Sequence, residues 1–198
     1  EARLADDVVV HEHERVAVEH PGDIVQMDCF QIGRLHGTRG VVWQVTAIDV
    51  ASSYTWADLH VAPRNPSPIW TSKLARIVAA DLAGRGWKLR KITTDNGNEF
   101  LASMFTDTLD EIGVTHVRIP AGRPQSNGCV ERVQGTILEE CWKPAFARFL
   151  IPKFQGLRSD LRRYLRYYNT DRAHTGRLTQ GRVPADIVYG ARKTATVR

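Results

Sequence analysis

The feature that most restricts the fold is a set of three apolar, β-branched runs near the start of the chain, joined by short turns. Residues 22–32 (GDIVQMDCFQI), 41–50 (VVWQVTAIDV) and 53–61 (SYTWADLHV) have the composition of strands. Pro21-Gly22 opens the first run, and RLHGTRG follows it as a turn in which Gly37 and Gly40 permit positive φ. The three runs therefore predict a hairpin meander, which Pro63, Pro66 and Pro68 bring to an end.

Beyond residue 68 the period changes. Ile69, Leu74, Ile77, Val78 and Leu82 recur at helical spacing over 69–84, with Gly84 as a stop. KLRKITTD (88–95) reads as a short strand. Phe100, Met104, Phe105, Leu109 and Ile112 mark the buried face of a helix closed by Gly113, and VTHVRIP (114–120) reads as a fifth strand. After a loop at 121–128, Val130, Val133, Ile137 and Cys141 define a helix over 129–143. Leu157, Leu161, Tyr164, Leu165 and Tyr168 define a last one over 157–169. This order is α/β.

The length of 198 residues fits one domain. No apolar run approaches the roughly 20 residues that span a bilayer, which excludes a membrane protein of that kind. Three cysteines without CxxC spacing argue against a disulfide scaffold or zinc site and for a reducing, intracellular compartment. His11-Glu12-His13 reads as part of a solvated arm. The opening EARLADD carries neither Met nor leader, as expected of a piece of a longer protein. Charge is divided: residues 1–60 hold 4 Lys or Arg against 10 Asp or Glu, whereas residues 118–198 hold 16 against 6. A basic C-terminal part suits a polyanionic partner, although a solvated helix face would look the same.

Three carboxylates occupy telling positions. Asp28 lies inside an apolar strand, where burial is costly unless something compensates it. Asp95 closes the fourth strand, and Glu131 lies in the first turn of the long helix. Taken singly, they also fit an Arg-paired Asp, a turn residue and a helix-start carboxylate. Taken together, they are oxygen donors from three separate elements, the set a hard divalent cation prefers.

The wider motifs TDNGNEF (94–100) and PQSNGCVER (124–132) resemble the catalytic core of retroviral-type integrases and insertion-sequence transposases, in which two aspartates and a glutamate bind metal. About 35 residues separate the last two there, and 35 separate Asp95 from Glu131 here. The tail YNTDRAHTGRLTQGRVPADIVYG is similar to that of the bacterial insertion-sequence branch. The resemblance implies a ribonuclease-H-like, five-stranded mixed sheet flanked by helices, made of an arm (1–20), a core (21–170) and a C-terminal extension (171–198). It implies that Asp28, Asp95 and Glu131 hold two Mg²⁺ or Mn²⁺ ions for cleavage and strand transfer of DNA. Arg123, Gln125, Asn127 and Arg132 would lie near the DNA. A dimer or higher oligomer is implied, associating through apolar residues of the helices at 99–112 and 157–169, with further DNA-binding domains beyond this piece. A nuclease of the same fold, or a core retaining only DNA binding, are the rival readings.

Arg158, Arg162 and Arg166 stand at i, i+4 spacing along the last helix and could follow a phosphate backbone. Gly135 occupies the position one turn past Glu131 where relatives usually carry a basic residue. Cys129 stands in place of a common Lys, and Ala173 in place of a usual Pro.

Overall fold

The computed structural model describes residues 18–120, 127–176 and 178–190. Its centre is the meander of β1 (Val25–Gly33), β2 (Val41–Asp49) and β3 (Thr55–Ala62), paired antiparallel. β4 (Lys91–Thr94) and β5 (Thr115–Arg118) then add in parallel on the other side of β1, giving the order β3-β2-β1-β4-β5. Parallel pairing needs a long crossover. α1 (Pro68–Ala83) provides the first, and α2 (Asn98–Leu101) with α3 (Ser103–Glu111) provide the second.

Alternation along β1 divides its side chains between two cores. Val25 and Met27 face α1 and α3 in a cluster with Val45, Ala47, Leu82, Phe100 and Phe105. The opposite face is covered by α4 (Gly128–Ile137), a π-helical turn (Leu138–Trp142), α5 (Lys143–Arg148) and α6 (Phe154–Thr170). Val130, Val133, Ile137 and Trp142 pack there on Val42, Ile48 and Leu59. The central strands are thus covered on both sides while β5 stays largely exposed at the edge, and no helix among the described residues is long and apolar enough to cross a membrane.

Several boundaries differ from the sequence reading. The expected helix from Phe100 to Gly113 breaks at Ala102, whose backbone is extended at φ −63°, ψ 139°. On a continuous helix Phe100 and Phe105 would point about 140° apart. The break lets both enter the same core, edge to face at 5.3 Å. Met104, expected to be buried, is instead exposed, as are Ile69 and Ile77 of α1. The first strand starts at Val25 because Pro21-Gly22-Asp23 forms a turn. Gly22 there has φ +88°, and a Cβ would stand 2.5 Å from the Lys88 carbonyl oxygen. The helix expected to stop at 143 passes through the π turn and runs on to Arg148.

The tail folds back on the core. α7 (Pro184–Val188) buries Val188 in the first cluster, and the Trp87 indole N–H donates to the Val188 carbonyl at 2.7 Å. Asn169, the Asn of the Tyr-Asn pair, exchanges two hydrogen bonds with the backbone of Thr55, at 2.9 and 2.8 Å. Its carboxamide so extends the edge of β3. The His11-Glu12-His13 segment lies outside the described residues.

Candidate active site

β1 and β4 are neighbours with Gln26 opposite Thr93. Carrying that register on by two residues sets Asp28 level with Asp95, just past the end of β4. Asp95 begins a tight turn whose sequence has a reason at each position. Its carboxylate accepts the Gly97 N–H at 3.0 Å, an Asx-type closure. Asn96 donates to the Ile119 carbonyl at 2.9 Å and so pins the turn to the end of β5. At Gly97 any Cβ would meet the Glu99 carboxylate at 2.8 Å.

Asp28 is half-buried. Burial, reinforced by the charges of Asp95 and Glu99, pushes its carboxyl up to about 6, while the Cys29 N–H and Gln134 work in the other direction. That N–H donates to Asp28 Oδ1 at 2.7 Å. Burial also raises Glu99, with Asp95 adding to the effect and the Cys29 thiol opposing it. The charged groups acting most strongly on Asp28 are therefore acidic, the reverse of an Arg-paired structural aspartate.

Glu131 is exposed in the first turn of α4. Gln134, three residues on along the same face, is 7 % exposed. Its amide acts on Asp28 as a hydrogen-bond donor would, favouring the charged carboxylate. Gln134 thus brings α4 up to the Asp28 end of β1, with Glu131 about one turn earlier on the same helix. Among the described residues, no three His, Cys, Asp or Glu side chains stand close enough together to hold a metal ion as placed. Asp28 and Asp95 are brought together, and Glu131 is carried on the neighbouring helix.

The other expected site residues divide. Arg123 and Gln125 lie outside the described residues. Asn127 is 5 % exposed at the start of α4, so its side chain faces protein. Arg132 is exposed. Arg158 departs from the stripe expected of it: its Nε donates to Asp58 of β3 at 2.7 Å, a pair that crosses the sheet edge. Arg162 and Arg166 remain exposed. The α6 residues expected to mediate self-association are consumed by the core, with Leu157 and Leu161 at 1 % and 0 % exposure. Sequence reasoning passed over Gln26, Glu99 and Gln134. Their signals were present as offsets of two from Asp28, four from Asp95 and three from Glu131.

A hollow of about 670 Å³ beside α3 and β5, lined by Phe100, Thr106, His116 and Arg118 among others, contains none of the triad. Asp95 and Glu131 are instead on the exposed surface, where a polymer too wide for a pocket can reach them.

Two descriptions of the integrase core domain match this chain, one over residues 18–124 and the other over residues 112–178. The chain belongs to the integrase core domain family. A retrovirus-related Pol polyprotein from transposon TNT 1-94 of Nicotiana tabacum is 28% identical over 118 residues, which is 60% of this chain and 9% of that protein. A chain of the simian T-cell lymphotropic virus intasome, solved by cryo-EM in complex with PP2A regulatory subunit B56 gamma, superposes with a TM-score of 0.67 at 19% identity. The superposition covers 88% of this chain and 56% of the viral one. This integrase core has the ribonuclease-H-like fold, and it spans only part of the length of both relatives.

Proposed function

We propose that this integrase core cuts and joins DNA strands by in-line phosphoryl transfer, using Asp28, Asp95 and Glu131 to hold divalent cations. The observation that carries the reading is the half-buried Asp28 carboxylate, level with Asp95 and acted on by acidic rather than basic groups. A negative site of oxygen donors is one that Mg²⁺ or Mn²⁺ would complete. Two such ions, when bound, supply charge for the attacking and leaving oxygens. The protein's own part would be positioning: β1 and the turn after β4 carry Asp28 and Asp95 on neighbouring strands, and Glu131 would come to them from the first turn of α4.

Arg132, Arg162 and Arg166 would add salt-dependent, sequence-blind contacts to phosphates. Arg123 and Gln125 belong to the same proposed surface. The tail from Tyr168 to Gly190 favours the insertion-sequence branch. We also propose self-association, with exposed Leu101, Met104, Ile69 and Ile77 as candidates in place of the buried α6 stripe.

The test is Mn²⁺-dependent nicking and joining of a duplex oligonucleotide by the chain and by Asp28→Asn, Asp95→Asn and Glu131→Gln. Each variant should lose activity with an unchanged circular-dichroism spectrum. Activity retained in Asp95→Asn would reject the assignment, and nicking without joined products would favour a nuclease.

A further inference from the structure

β1 carries more than one element of the site. Gln26 stands two residues before Asp28, hence on the same face of the strand. Its side-chain carbonyl accepts the backbone N–H groups of both Cys129 and Val130, at 3.0 and 3.2 Å. Those are two of the four N–H groups that the first turn of α4 cannot satisfy internally. Asn127, at the cap position itself, makes no side-chain capping bond. The cap comes instead from a strand 103 residues away in sequence. Gln26 is buried at 8 % exposure, so its carboxamide is held in place.

We infer that Gln26 is a positioning residue that sets the separation of Asp28 and Glu131, and through it the affinity of the site for its cations. Cys129 and Val130 immediately precede Glu131, so the Gln26 bonds fix the height of the Glu131 backbone relative to the strand bearing Asp28. A helix end held by water instead would slide or fray, and Glu131 would move with it. The far end of the same helical run is held independently: Trp142 donates to Gln44 Oε1 of β2 at 2.8 Å. This inference rests on the metal-site reading above, and its test separates the two.

Mn²⁺ affinity is measured by titration calorimetry on the chain and on Gln26→Met, Gln26→Glu, Trp142→Phe and Asp28→Asn, with amide exchange followed at residues 129 and 130. Met keeps the volume and loses the acceptor. Glu keeps an acceptor at a helix N-terminus, where negative charge is favoured. We expect Gln26→Met to weaken Mn²⁺ binding about 10-fold or more, the scale for losing an orienting partner, and to speed exchange at both amides. Gln26→Glu should retain slow exchange and bind Mn²⁺ at least as well as the parent. Trp142→Phe should lower the melting temperature while leaving Mn²⁺ affinity unchanged, which separates positioning from general loss of stability. Unchanged affinity in Gln26→Met would overturn the inference, and so would an equal loss in Trp142→Phe. Equal binding by the parent and Asp28→Asn would instead overturn the metal-site reading, taking this inference with it.

Discussion

The Arg172 guanidinium grips the Glu140 carboxylate, Nη2 to Oε1 at 2.8 Å and Nε to Oε2 at 3.2 Å. Glu140 lies in the π turn that continues α4, so this pair ties the tail to the helical run bearing Glu131. Tyr164 of α6 donates to the same carboxylate at 2.9 Å, and Arg172 lies over the Tyr168 ring. Burial alone would raise Glu140, but Arg172 and Tyr164 outweigh it and hold the carboxyl below its ordinary value. A depressed carboxylate contributes stability above its unfolded pKa and loses it as pH falls through the folded one. Arg172→Ala should therefore lower the melting temperature at pH 7. Its deficit relative to the parent should shrink when the scans are repeated at progressively more acidic pH, below the carboxylate range.

Asp28 behaves in the opposite sense. Its pKa is raised from 3.8 to about 6, so the folded state binds the proton more tightly than the unfolded chain does. In EDTA, stability should fall as pH rises from about 4 to about 6 and stay lower above that window. Asp28→Asn should remove this slope and melt higher than the parent at pH 7. Denaturant titrations of both proteins across pH 4–7 would show it.

Gly135 has open space around it, for a Cβ there would meet nothing within 4 Å. Close packing of another backbone is therefore no reason for this glycine. Gly135→Ala should stabilise the chain by about 0.5–1 kcal/mol, the helix-interior difference between the two residues. Gly135→Lys should also melt higher, bind duplex DNA more tightly at low salt and leave Mn²⁺ affinity as it was.

Trp142 is fully buried and its indole N–H has Gln44 as partner, while the Gln44 amide donates onward to Thr46 at 2.8 Å. Trp142→Phe keeps most of the ring volume but leaves the Gln44 carbonyl buried without a donor. Such an orphan costs about 1–3 kcal/mol. Urea unfolding should show that loss with little change in the slope.

The strands and most helices were legible because each depends on local pattern, and the positions of Asp28, Asp95 and Glu131 on those elements followed from the same pattern. Period-two runs marked β1, β2 and β3, and helical spacing found the buried stripes Val130-Val133-Ile137-Cys141 and Leu157-Leu161-Tyr164-Leu165-Tyr168, which are buried as read. Asp28 stood out as a charge inside an apolar run. Other features depend on what lies across the fold, which no local period encodes. The break at Ala102 exists because Phe100 and Phe105 share one core, and Met104, Ile69 and Ile77 are exposed because their helices meet the sheet on a narrower face than their composition allows. Arg158 left the phosphate-facing stripe because α6 happens to pass Asp58. Gln26 looked like any polar strand residue until α4 was placed over it. Chain order and side-chain type decided which elements form and which carboxylates they carry. The tertiary structure alone decided which partners those side chains meet, because hydrogen bonds and ion pairs act over a few ångströms and Gln26 and Val130 are 104 residues apart.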